Sequence, residues 1–206
     1  MVITYPNGEE VELLFDRRLH SYNVYKSPLS FDSIIKGVKS AHRQTSTSAM
    51  NIGNITHDWV EEAINFHMKG GVIPKLPTQE EALNSIDAFK SWVQENEIEW
   101  LSAEEKLYHR KHKYAGTVDA RAYINGEYCV IDWKTSKAVY PEYHLQVAAY
   151  AKAVEDMHDK KVDATYILRC DKVTGRFEAV RSKDIAKNFK AFLAALTLYK
   201  RLKEIR

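Results

Sequence analysis

Cysteine is scarce in this chain: 206 residues hold two, Cys129 and Cys170. Two thiols cannot build a four-cysteine zinc or iron–sulfur site, and they argue against a disulfide scaffold. No apolar run of about 18 residues occurs, so no segment is expected to span a membrane. Residues 1–12 carry acids and a turn instead of an apolar signal segment, and no arginine-rich transit segment is visible. Neither sign of charge dominates: 30 lysines and arginines meet 28 aspartates and glutamates, a net +2. That excludes a histone-like blanket of positive charge but leaves room for a local basic groove. Repeats, low-complexity stretches and dividing linkers are missing as well. The expectation is a soluble protein of a reducing compartment, the cytoplasm.

What is present suits a packed core. Hydrophobic residues make up 45%, aromatics 11% and charged residues 28%, enough for one domain of ordinary size. Residues 2–15 read as a hairpin turning at Asn7-Gly8. Ser30 caps a short helix over about 30–39, and polar residues 40–54 read as an irregular loop. A helix is expected over about 56–68, closed by Gly70, Gly71, Pro74 and Pro77. Thr78-Gln-Glu-Glu81 reads as a capping box opening a helix to about residue 97. Residues 1–97 are thus mainly helical. From 98 to 206 the pattern changes to an α/β core. Strands are expected at 103–109, 116–124 and 127–134, then an alanine-rich helix at 142–157. Strands at 164–170 and 176–181 and an amphipathic helix at 184–204 complete it. Strand runs interrupted by one helix predict a mixed sheet flanked by helices.

The chemistry concentrates in residues 116–137, GTVDARAYINGEYCVIDWKTSK. Asn125-Gly126 favours a two-residue turn of the primed type, which sets the register. Ile124 then faces Glu127, Ala122 faces Cys129, Asp119 faces Asp132 and Thr117 faces Lys134. Alternation puts Val118, Ala120, Ala122 and Ile124 on one apolar face with Cys129, Ile131 and Trp133. Asp119, Asp132 and Lys134 share the other. Opposed side chains stand about 4.5–5.5 Å apart at Cβ, where like charges repel. Tyr128-Cys129-Val130-Ile131 is too apolar for a solvated edge. Two carboxylates are therefore expected to converge in a half-buried place, and a divalent cation would offset their repulsion. The tripeptide acid-x-Lys alone means little, since it recurs at Glu104/Lys106 and Asp159/Lys161. A surface hairpin with a cross-strand Lys–Asp pair would need neither the apolar strand nor the partner acid in register.

Gly116-x-x-Asp119, a hairpin, Ile131-Asp132-Trp133-Lys134-Thr135-Ser136 and then Gln146-x-x-x-Tyr150 resemble the PD-(D/E)xK nuclease superfamily, in the order of RecB-type exonuclease domains. Residues 114–136 are similar to the mitochondrial genome maintenance exonuclease family and its bacterial and phage relatives. The likeness covers about 104–150 and, more weakly, 50–70. It implies a restriction-endonuclease-like fold, a single nuclease domain over 1–206 and hydrolysis of DNA with one or two Mg2+ or Mn2+ ions and no iron–sulfur cluster. It also implies a place in DNA replication, repair or recombination in a bacterial or phage-infected cell. In that pattern Asp119 and Asp132 bind metal, with the backbone carbonyl of Trp133. Lys134 orients the attacking water and stabilises developing charge.

Further residues have two readings each. Glu104 or Glu105 supplies another carboxylate, and the resemblance favours Glu104. His57 shares an inward face with Val60, Glu61 and Ile64. As a lone histidine it reads as packed or capping, whereas Gly53 and His57 match a glycine and metal-binding histidine of RecB-type domains. A place at a helix N-terminus would keep its imidazole neutral. Gln146 and Tyr150 share a helix face; in the family such a pair lies beside the metal, and both also suit an ordinary core helix. Arg110, Lys111 and Lys113 precede the Gly116 strand, while Lys137, Tyr140 and Tyr143 follow Lys134. Charge beside aromatic rings suits single-stranded DNA; the plain reading is a solvated turn and surface tyrosines. His109 and His112 are further candidates for phosphate contact. The functional expectation is a monomeric exonuclease acting on single-stranded DNA or ends. The alternatives are a structure-specific endonuclease of flap or restriction type, or a DNA-binding module without catalysis.

Overall fold

The computed structural model describes residues 2–16, 21–24, 27–28, 47–171, 174 and 176–205; the helix expected at 30–39 lies outside them. Four short strands open the chain: β1 (Val2–Thr4), β2 (Glu10–Asp16), β3 (Ser21–Val24) and β4 (Ser27–Pro28). They form an antiparallel sheet in chain order. Gly8, at φ 80°, takes the left-handed backbone that the expected turn requires. This sheet extends the hairpin read from the sequence by two strands. It is tied to the rest of the chain at Tyr5, whose hydroxyl donates to the Tyr108 carbonyl at 2.7 Å.

Two helices follow, α1 (Thr47–Lys69) and α2 (Glu80–Gln94). The first starts well before the expected 56, so residues 47–54 are helix and not loop. Their Ser, Thr, Asn and Gly composition disfavours helix on its own, and packing overrides it: Val60 and Ile64 of α1 are buried among aromatic rings of α2 and the sheet. Thr56 binds back to the Ile52 carbonyl at 3.0 Å. The capping box at Thr78 does not form. Helix α2 begins at Glu80 with Gln79 at the cap and no side-chain cap bond, and Glu80 and Glu81 complement the helix dipole instead.

The core is a five-stranded sheet in chain order: β5 (Ile98–His109), β6 (Tyr114–Ile124), β7 (Glu127–Lys134), β8 (Ala164–Cys170) and β9 (Phe177–Ser182). Only β7 and β8 run parallel, and a parallel pair needs a crossover. Helix α3 (Pro141–His158) supplies it, and α4 (Ile185–Glu204) closes the chain. Helices α1 and α2 pack on one face around Phe89, Trp100 and Trp133; α3 and α4 pack on the other. On α3, Ala148, Ala149, Ala151 and Ala153 are buried and let the helix lie close to the sheet. The result is a mixed sheet flanked by helices, a restriction-endonuclease-like fold. Among the described residues no helix is long and apolar enough to cross a membrane.

The hairpin between β6 and β7 has the expected register, with Ile124 against Glu127, Ala122 against Cys129 and Ala120 against Ile131. Asn125 at φ 51° and Gly126 at φ 84° supply the two left-handed residues that a primed turn needs. Val118 departs from expectation. It joins the cluster under α3 and α4, while Ala120, Ala122 and Ile124 lie with Trp133 under α1 and α2. The strict alternation of β6 is broken at Asp119.

Candidate active site

Both ladders flanking Asp119 are interrupted there. Strand β5 pairs Ala103 with Ala120 and Glu105 with Val118, passing over Glu104 and Asp119. The β6–β7 ladder runs to Ala120 and Ile131 and stops. The expected facing pairs, Asp119 with Asp132 and Thr117 with Lys134, are therefore not ladder partners. Instead the Asp119 carboxylate accepts the backbone N–H of Trp133 at 2.6 Å. Glu104 sits at φ 48°, a conformation that costs a non-glycine residue about 1–3 kcal/mol and persists only where its surroundings impose it.

The opening gathers three potential ligands. His57, Glu104 and Asp119 each offer an atom within 4.8 Å of the others, with His57 Nδ1 and Asp119 Oδ2 3.8 Å apart. Asp132 lies outside that trio. It is 1% exposed, and its Oδ2 stands 2.5 Å from Lys134 Nζ. The two acids expected to converge thus take different partners: Asp119 joins Glu104 and His57, and Asp132 joins the lysine.

Electrostatics mark the place as short of positive charge. Burial and then the neighbouring Asp119 charge push Glu104 up to about 8, with Glu61 and Asp132 adding to the rise against Lys106. Asp132 is pushed up to about 6 by burial, with Asp119 adding to it, although Lys134 pulls the other way. Burial alone would lower Lys134, but the charges of Asp132 and Asp119 outweigh it and hold the ammonium above its usual range. His57 is driven down to about 4 by burial and then by Lys134, against the pull of Asp132 and Asp58. The neutral imidazole expected from a helix N-terminus is present for another reason, since His57 lies inside α1 and not at its start.

The remaining candidates divide by position. Gln146 Nε2 donates to the Tyr150 hydroxyl at 2.7 Å, so the two do share a face of α3. Tyr143 places its ring 5.2 Å from Lys134 Nζ, and Tyr140 meets Tyr143 edge-on at 5.5 Å. Lys137 is exposed in the loop between β7 and α3. Trp133 keeps its ring in the core, 5.3 Å from Phe89. The turn at 110–113 is elsewhere. Arg110 pairs with Asp156 at 3.1 Å and Glu9 at 3.0 Å and covers the Tyr5 ring. Asp156 is near the far end of α3 from Tyr143, about 20 Å along the helix. Lys111 and Lys113 are exposed in the same turn. His109 is buried and stacked on Phe189, and the His112 carbonyl accepts from Lys200. The structure does not bring these residues to the cluster.

Glu105, the rejected alternative to Glu104, has a different task. Its carboxylate accepts from Arg121 Nε at 2.5 Å and His158 Nε2 at 2.7 Å. Two residues that the sequence named without giving them a role of their own also contribute. Glu61 lies one turn after His57 and acts on Glu104. Gly53 marks where α1 crosses the chain leaving β7: a Cβ built there would lie 2.9 Å from Thr135 Oγ1. Gly53→Ala is expected to lower stability by about 1 kcal/mol, the overpacking cost exceeding the gain in helix propensity. Thr135→Ala in the same chain should recover it. Thermal melts of both single variants and the double variant check this, and additive losses would place the contact elsewhere.

No family model matches the chain, and no curated protein matches it. Among solved structures, a candidate exonuclease from Eubacterium rectale superposes with a TM-score of 0.51 at 14% identity, over 79% of this chain and 68% of that one. This likeness shows a shared fold. An alkaline exonuclease from Laribacter hongkongensis aligns at 12% identity over 85% of this chain and 91% of its own, with a TM-score of 0.31, too low to bear on the fold.

Proposed function

We propose that this chain is a metal-dependent deoxyribonuclease of the PD-(D/E)xK type, related to RecB-type exonuclease domains, that removes nucleotides from single-stranded DNA or single-stranded ends. One observation carries the reading: His57, Glu104 and Asp119 converge beside the buried Asp132 and its half-buried partner Lys134, where both sheet ladders open. The half-buried Glu104, the buried Asp119 and a neutral imidazole form a donor set that suits Mg2+ or Mn2+, and the raised carboxyls of Glu104 and Asp132 are what an added cation would relieve. His57, Glu104 and Asp119 would hold the ion, with Asp132 and the Trp133 carbonyl alongside. Such an ion polarises a phosphate and makes water acidic enough to attack it.

The chain's own groups supply the rest. Lys134, kept charged by Asp132, is an ammonium donor for the phosphate as negative charge develops on it. The bonded Gln146 and Tyr150 line the same helix. Lys137, Tyr140 and Tyr143 offer one cation and two rings next to Lys134, a combination that binds a single strand through phosphate attraction and base stacking. Arg110, Lys111 and Lys113 could serve only a longer strand, since Arg110 is already paired.

End-labelled linear and circular single-stranded DNA, each with Mg2+, Mn2+ or EDTA, test the proposal. Linear DNA should be shortened to mononucleotides or short products with either metal and not with EDTA, while the circle survives. Cutting of the circle would make the enzyme an endonuclease. Binding of DNA without cleavage in both metals would leave a binding module.

A further inference from the structure

We propose that Arg169 is a positioning residue: it clamps the chain leaving Lys134, so that the Lys134 ammonium and the His57 imidazole keep a fixed relation. The consequence for rate rests on the nuclease reading above.

Arg169 lies in β8 with a side chain 3% exposed. A guanidinium stays inside a protein only when it is paired. Parallel pairing sets it beside Lys134, and antiparallel pairing sets it beside Glu178. In-register neighbours on a sheet share a face, so Lys134, Arg169 and Glu178 form one row across three strands. A second cation next to Lys134 is a repulsive choice for a residue that only fills a strand. What it reaches explains its presence. Nη1 donates to the Ser136 carbonyl at 2.9 Å and stands 3.6 Å from Asp171 Oδ2, while Nη2 stands 3.3 Å from Glu178 Oε1. The two carboxylates orient the fork, and the Ser136 carbonyl is what the fork holds.

The held segment starts one residue after Lys134. Ser136 Oγ donates to the Ala138 carbonyl at 2.9 Å and closes the bend. On its other flank Thr135 lies against Gly53 of α1, with no room for a Cβ between them. Residues 135–136 are thus gripped between Arg169 and the helix that carries His57. A lysine could not copy this, because a single ammonium lacks the planar fork that spans a carbonyl and two acids.

Arg169→Met and Arg169→Lys, each checked by thermal melt, test the clamp in two ways. Amide hydrogen exchange at 134–138 should quicken by about tenfold or more in Arg169→Met, with the β5–β6 hairpin unchanged. On a linear single-stranded oligonucleotide with Mn2+, kcat should fall about 10- to 100-fold with KM within about twofold, as expected for misplacement by about 1 Å without loss of binding surface. Arg169→Lys should recover only part of either. Unchanged exchange at 134–138 overturns the clamp, and so does a raised KM with kcat intact. A wild type that cleaves no DNA overturns the nuclease reading and with it the effect on rate, a failure distinct from that of the clamp.

Discussion

Asp132→Asn should abolish DNA hydrolysis, with a loss of about 10³-fold or more, and leave the protein folded. Asp132→Ala should lose the same activity and much of the stability. The difference comes from the partner. Asp132 is 1% exposed and stands 2.5 Å from Lys134 Nζ. Asparagine removes the charge that the site needs but keeps an oxygen that can accept from the ammonium. Alanine takes the nearest acceptor from the half-buried Lys134 ammonium and leaves only the Asp119 charge nearby, a loss that approaches the cost of breaking a buried pair, about 3–5 kcal/mol. Lys134→Met is the mirror experiment and adds a pH test. Asp132 is already pushed up to about 6 with the lysine present; without it the carboxyl rises further. An acid raised on folding holds its proton more tightly in the folded state, so stability falls as pH rises past its unfolded value. Lys134→Met should therefore melt close to wild type near pH 5 and well below it near pH 8. Thermal melts at both values, with oligonucleotide cleavage alongside, measure all three variants. Turnover in Asp132→Asn within about tenfold of wild type would remove Asp132 from the chemistry.

The hairpin that organises this site was legible because its information is local. Asn125-Gly126 dictates a turn, the turn dictates a register, and all five observed pairs obey it. Alanines on α3 likewise announce a close helix–sheet contact. The register alone, however, places Asp119 against Asp132, and that is where it misleads. Alternation assumes an unbroken ladder, and the ladder breaks because the Asp119 carboxylate takes the Trp133 N–H and Glu104 adopts a left-handed backbone. Neither event has a signature in the string of letters, since both follow from groups brought together by β5, β6 and β7 at once. The start of α1 was hidden for a similar reason: packing stabilises a polar stretch whose own propensity says loop. Arg110 reads from the sequence as a DNA-binding or solvated turn residue, and nothing in the letters singles out Arg169. Only the tertiary positions of Asp156, Asp171 and Glu178 separate a structural bracket from a solvated side chain.

Glu104→Gln and Glu105→Gln, adjacent and chemically identical changes, should have opposite consequences. Glu104 is turned toward Asp119 and His57, and its carboxyl is pushed up to about 8. Replacing it by glutamine swaps a carboxyl that the fold holds largely protonated at neutral pH for a neutral amide, so the melting temperature should not drop. Cleavage should fall about 10²-fold or more and Mn2+ binding should weaken, because one of three converging ligands is gone. Glu105 points into a structural network. Burial would raise its carboxyl, but the hydrogen bond from His158 and the charge of Arg121 outweigh burial and hold it at about 2. A carboxylate held below its ordinary value favours folding above that value, and the benefit is lost as pH falls. The stabilisation should be complete above about pH 5 and vanish between about pH 4.5 and 2, and the shift corresponds to about 3 kcal/mol. Glu105→Gln should therefore lower Tm by roughly 6–12 °C at pH 7, flatten the acid limb of the stability profile and leave kcat per folded molecule near wild type. Melting curves from pH 2 to 8, Mn2+ titration and cleavage rates on both variants decide the matter. A Glu105→Gln protein that keeps its Tm but loses turnover would exchange the roles of the two acids.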